Sequence, residues 1–149
     1  MAVWRVSRSC NLDAPSTAVW EALQSPATLV HVSAPLLTFR PDAPWPARWR
    51  AGRWRVRLRG PLGLPLGWQI IDVSFPKAVP PARRIRDNGR GALARRWDHL
   101  IEVAPEGNGT RYTDTVEIEA GPLGPAIWVF AHVFYAHRQR RWRRLARRL

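Results

Sequence analysis

Apolar and polar positions alternate strictly from the start of the chain. In residues 3–12, VWRVSRSCNL, one face carries Trp4, Val6, Cys10 and Leu12, the period-two signature of a half-buried strand. Pro15 suits the first position of a helix, and Val19, Trp20 and Leu23 then recur at helical spacing. Ser25-Pro26 reads as an N-cap followed by a first-turn proline, starting a second short helix through Val30. SAPLLTFR (33–40) predicts a strand. Beyond the proline-broken PDAPWP lies the clearest strand of all, where Trp54, Val56 and Leu58 alternate with Arg53, Arg55, Arg57 and Arg59. WQIIDVSF (68–75) predicts another. ARRIRD runs into Asp87-Asn88-Gly89, a tripeptide with hairpin-turn chemistry, so a turn is expected there.

In GALARRWDHLIEV, Leu93, Trp97, His99, Ile101 and Val103 share one side. After the loop PEGNG, Tyr112, Asp114, Val116 and Ile118 alternate with Thr113, Thr115, Glu117 and Glu119. Pro125 opens a helix expected to reach the C-terminus, with Ile127, Ala131, Phe134, Trp142, Leu145 and Leu149 as its apolar stripe and Arg138 on the same side. The predicted order is strand, two short helices, about six antiparallel strands and one long helix. That is an α+β plan. A curved antiparallel sheet of about six to seven strands wraps round the long C-terminal helix, leaving a cavity between them. No repeat, linker or low-complexity tail interrupts it, and residues 1–149 are expected to form one ligand-binding domain.

Charge complicates this picture only briefly. A net charge of +13 favours adhesion to polyanions. Yet of the 24 basic residues only Lys77 is lysine, and the arginines come with many Ala, Pro and Gly, all encoded by GC-rich codons. Nucleic-acid binding would need Trp and Arg on one surface, so that bases stack while phosphates are neutralised. Strand alternation puts them on opposite faces of 53–59. The basic terminus HRQRRWRRLARRL likewise becomes the wet side of a helix whose dry side is Trp142, Leu145 and Leu149. Nucleic acid is therefore not the expected partner. A basic docking module for an anionic membrane surface, built on Arg55 and Arg57 with Arg83, Arg84 or Arg86, stays open. The lone Cys10 excludes an intramolecular disulfide and gives no metal-ligand spacing. The first 16 residues contain no apolar leader, and Ile127–Ala136 is too short to span a bilayer. A cytoplasmic location is expected, with no metal and no cofactor.

Several stretches, in this order, resemble the START-type helix-grip superfamily, specifically its bacterial polyketide cyclase/dehydrase and lipid-transport-like (SRPBCC) members, which share the birch-pollen-allergen-like fold. They are Ala14-Pro15 with Val19-Trp20, Trp97-Asp98-His99, Gly109-Thr110 leading to Asp114-Thr115-Val116, Gly121-Pro122-Leu123-Gly124, and Phe134-Tyr135-Ala136-His137-Arg138. The resemblance implies a hydrophobic ligand in the cavity, or, in some members, cyclisation or dehydration of polyketides. The arginine load and the proline-rich loops at 41–46 and 76–81 depart from the usual pattern.

His99 and Asp114 are the candidate polar site. If Val103 faces Thr110 across the PEGNG loop, His99 sits opposite Asp114 and Trp97 opposite Val116, on the inward face. A register slip of two residues is expected to separate them. A carboxylate beside an imidazole orients one ring nitrogen and raises its basicity, as a general base or a ligand handle requires. Arg8 is the other inward polar residue expected, and a plausible partner for Asp114. The three can equally be satisfying one another to stabilise the sheet. Trp54, Trp97, Tyr112, Ala131 and Phe134 are expected to line the pocket, although inward aromatics are ordinarily core. Binding is expected ahead of catalysis. A cyclase/dehydratase-like reaction with His99 and Asp114 as acid–base pair is the alternative.

Overall fold

The computed structural model describes residues 2–149. Strand β1 (Trp4–Leu12) leads into two short helices, α1 (Ser16–Leu23) and α2 (Pro26–Ser33). Six strands follow: β2 (Thr38–Pro41), β3 (Gly52–Arg59), β4 (Pro65–Ser74), β5 (Arg83–Gly91), β6 (Arg96–Glu106) and β7 (Gly109–Glu119). Helix α3 (Gly124–Ala146) completes the chain. All neighbours pair antiparallel in one seven-stranded sheet, ordered β1-β7-β6-β5-β4-β3-β2. This is the expected helix-grip arrangement, with the first strand returning beside the last.

Burial follows the alternation. Val56 on β3, Ile101 and Val103 on β6, and Tyr112, Val116 and Ile118 on β7 face inward and are buried. Helix α3 answers with Ala131, Phe134, Tyr135, Arg138, Gln139, Trp142 and Ala146, one buried stripe at helical spacing. Pro26 stands in the first turn of α2 after Ser25, as its sequence indicates. Outward positions carry the charges. Arg53, Arg55, Arg57 and Arg59 are all exposed, and cross-strand ion pairs Arg84–Glu102 and Arg86–Asp98 (both 2.7 Å) knit the outer face.

The structure corrects four local expectations. The segment 33–40 is strand only from Thr38, because α2 runs to Ser33 and Ala34-Pro35 interrupts the extended run. Asp87-Asn88-Gly89 is not a turn but the middle of β5. Its glycines answer crowding between strands: a Cβ at Gly91 would come within 2.2 Å of Gln69 Oε1 and 2.5 Å of the Trp68 carbonyl. The β6–β7 hairpin is tighter than a PEGNG loop. Glu106 pairs with Gly109, leaving Gly107-Asn108 as the turn, with Gly107 at φ +58° where glycine is favoured. Finally, α3 stops at Ala146, so Leu149 lies past the helix and is exposed.

Candidate functional site

The tighter hairpin moves the β6–β7 register by two residues. Asp114 stands opposite Ile101, and His99 opposite Val116. The pair meets nonetheless, because diagonal neighbours on one sheet face remain within reach of long side chains. His99 Nε2 lies 2.6 Å from Asp114 Oδ1, with His99 6% and Asp114 0% exposed. The expectation that such a slip would part them is therefore wrong.

Asp114 is fully satisfied behind His99. Tyr112 Oη donates to Oδ1 at 3.2 Å, and Gln139 Nε2 donates to Oδ2 at 3.0 Å. The same Gln139 amide donates to the Arg8 carbonyl at 2.8 Å, so one side chain of α3 ties together β1 and β7. Burial alone would push the Asp114 carboxyl up, but the bonds from His99 and Gln139 and the nearby Arg138 charge outweigh it and hold it low. Asp114 is an anion. Burial lowers the pKa of His99 against the pull of Asp114, which favours the neutral ring. With Nε2–H donating to the carboxylate, Nδ1 is left as the basic nitrogen.

Arg8 does not fill the role its position indicates. It pairs across the strand with Asp114 through the backbone, but β1 is an edge strand and the Arg8 side chain is exposed. Gln139, from the helix, takes its place. An edge residue can lead its charge out to water, whereas a central position offers no such exit.

Between sheet and α3 lie two adjoining cavities of about 60 and 120 Å³, well beyond the space one water needs. Leu29, Ile71, Asp87, His99 and Arg138 border both. Three of those five are polar, so the lobes meet at a polar waist. The smaller lobe is closed by Leu23, Val32, Trp49 and Trp142, and the larger by Phe39, Leu58, Trp97, Phe130 and Phe134. Trp97 is fixed by donating from Nε1 to Tyr135 Oη at 3.0 Å.

Of the residues expected at the pocket, Trp97, His99 and Phe134 are in its wall. Asp114 and Tyr112 stand behind His99, with Tyr112 packed on Trp142 at 5.2 Å between ring centroids. Trp54 turns instead onto Trp49, 5.2 Å away, and Ala131 is buried in the core without reaching either lobe. Asp87 and Arg138 are polar wall residues that sequence reasoning missed. Asp87 accepts the Asp72 N–H at 2.8 Å, between the β4–β5 pairings at Ile70↔Arg90 and Val73↔Asp87. Burial, helped by the charges of Asp72 and Asp98, pushes its carboxyl up to about 7. Arg138 is 4% exposed, and among the described residues its single side-chain hydrogen bond is a long one of 3.5 Å from NH2 to Tyr112 Oη. Burial opposes its charge, but Tyr112, Asp114 and Tyr135 outweigh that and keep the guanidinium protonated. The signal for Arg138 was present, as an arginine within an otherwise apolar stripe. Asp87 was hidden by its turn-like neighbours.

Among the described residues, no helix is long and apolar enough to cross a membrane. No group of three or more His, Cys, Asp or Glu side chains among them could hold a metal ion.

No family model matches the chain, and no curated protein matches it. Solved structures do, over nearly its whole length. A START superfamily protein from Mycobacterium smegmatis superimposes with a TM-score of 0.66 at 12% identity, covering 97% of this chain and 98% of that one. Ara h 8.0201 gives 0.67 at 6% identity, covering 99% and 100%. A protein from Arthrobacter aurescens gives 0.70 at 14% identity, covering 98% and 87%. At such identities the likeness is one of fold, and that fold is the START-type helix grip.

Proposed function

We propose that the protein binds a small hydrophobic molecule, whether lipid, polyketide-like or aromatic, in the cavity between the sheet and α3. One observation carries the reading. Two apolar lobes enclose a waist where His99, Asp87 and Arg138 converge, the combination of greasy walls and a few fixed polar groups typical of ligand sites. A merely structural polar cluster would be packed shut; this one borders open space on both sides. Native mass spectrometry of freshly purified protein tests it. A discrete added mass that disappears on denaturation supports the reading. It should also disappear in Leu29→Trp, which places an indole between the lobes. An adduct retained at full occupancy by that variant would place the ligand elsewhere and end the proposal.

A second reading is favoured by the His99–Asp114 contact at 2.6 Å beside the cavity. In a cyclase/dehydratase-like reaction, neutral His99 would take a proton from a carbon next to a carbonyl and return it to a departing hydroxide, releasing water. Asp114 would stabilise the imidazolium formed in between. If His99→Ala turns over polyketide-like substrates at the wild-type rate, this second reading is lost while the first stands.

A further inference from the structure

We infer that the bound molecule is a carboxylic acid whose carboxylate lodges on the Arg138 guanidinium and whose apolar body occupies the larger lobe. This rests on the binding reading above and goes beyond it by fixing the head group. Asp114 supports the Arg138 charge through space, but no carboxylate touches the guanidinium. Asp114 is spent on His99, Tyr112 and Gln139, and Asp87 on the Asp72 N–H. Arg138 forms no salt bridge among the described residues, and its Nε has no hydrogen-bond partner although the side chain is only 4% exposed. Its bond to Tyr112, at 3.5 Å, lies at the outer limit of what counts as one. On α3 it lies over the ring faces of Phe134 and Tyr135, at 5.8 and 5.6 Å.

A buried guanidinium with an unbonded Nε and no carboxylate in contact leaves donors that a guest can satisfy. Arg138 borders both lobes, so a ligand group can reach it. Free guanidinium donors call for an acceptor, and an anionic oxygen is the strongest one. A planar carboxylate fits the guanidinium fork. Asp87 need not repel such a guest. With its carboxyl pushed up to about 7, it can face the anion in the protonated form and donate to it. From there Trp97, Phe130 and Phe134 offer the apolar body aromatic walls.

Calorimetric titration of the full chain with octanoate and with 1-octanol decides the matter, because the two share a chain and differ in head group. Octanoate is expected to bind at least about tenfold more tightly, the least expected of a charge-assisted bond in a dry site. Arg138→Met should remove that advantage and leave octanol binding in place, while Arg138→Lys should keep part of it. Equal affinity of the two probes for the wild-type chain would overturn the head-group inference and leave cavity binding intact. Failure of both probes to bind would overturn the two together. Should Arg138→Met not fold, the wild-type comparison of octanoate with octanol still separates these outcomes.

Discussion

Replacing Asp87 by asparagine should make the protein more stable at alkaline pH, and by an amount that depends on pH. The folded-state carboxyl lies at about 7 against an ordinary value of 3.8, raised first by burial. Between those values the folded chain holds a proton that the unfolded chain has released. The group's contribution therefore favours folding in acid, declines as pH rises through this window, and above about pH 7 becomes the full cost of ionising a partly buried carboxylate. A shift of roughly three units corresponds to about 4 kcal/mol; water entering the cavity screens it, so about 2–4 kcal/mol is expected. Asparagine keeps an oxygen for the Asp72 N–H and carries no charge. Urea denaturation of both proteins at about pH 4.5 and pH 8 measures the difference, and titrations common to both cancel. Asp87→Asn should gain about 2–4 kcal/mol at the higher pH and under about 1 kcal/mol at the lower. A gain of the same size at both, or a loss at the higher pH, would show that the charge of Asp87 is not what costs stability.

Other outcomes follow from the same packing. Trp142 is 0% exposed and its ring packs tilted against Tyr112, so Trp142→Ala should cost about 3–5 kcal/mol by urea unfolding; a cost under about 1 kcal/mol would mean the site is loosely packed. Cys10, pushed up to about 11 chiefly by burial, should resist a disulfide reagent at about pH 8 until denaturant is added. Immediate labelling would contradict its placement. Burial holds His99 below its ordinary 6.5, so its ring nitrogens should titrate below that value by NMR. Because the unfolded chain takes the proton first, this group should cost stability as pH falls below 6.5. A midpoint above 6.5 would show that Asp114 overrides burial.

The fold was legible because alternation and helical spacing carry it. Trp54-Val56-Leu58 and Tyr112-Asp114-Val116-Ile118 point inward as their period requires. The same alternation sorted the arginines, since Arg53, Arg55, Arg57 and Arg59 are all exposed. What misled was local chemistry overruled by tertiary crowding. Asp87-Asn88-Gly89 has turn residues, yet the Trp68 carbonyl of β4 lies too close for a Cβ at Gly91, and Gly89 is pressed between the carbonyls of Ile70 and Trp97. Gly107-Asn108 was the true two-residue turn, and reading it inside a five-residue loop set the register wrong by two. Which polar residue completes Asp114 was not legible at all. Arg8 has the right strand position, but whether a side chain stays or leaves depends on the edge of the sheet. Gln139 sits 25 residues from Asp114 and finds it only through the path of α3 across β1 and β7.

Whether the cavity takes up an apolar guest can be read from titration with the neutral fluorescent probe N-phenyl-1-naphthylamine. Emission should rise to saturation at one probe per chain, and the rise should vanish in Leu29→Trp with the circular dichroism spectrum unchanged. A linear, unsaturable response in the wild-type protein, or the same saturable rise in the filled variant, would contradict binding between the sheet and α3.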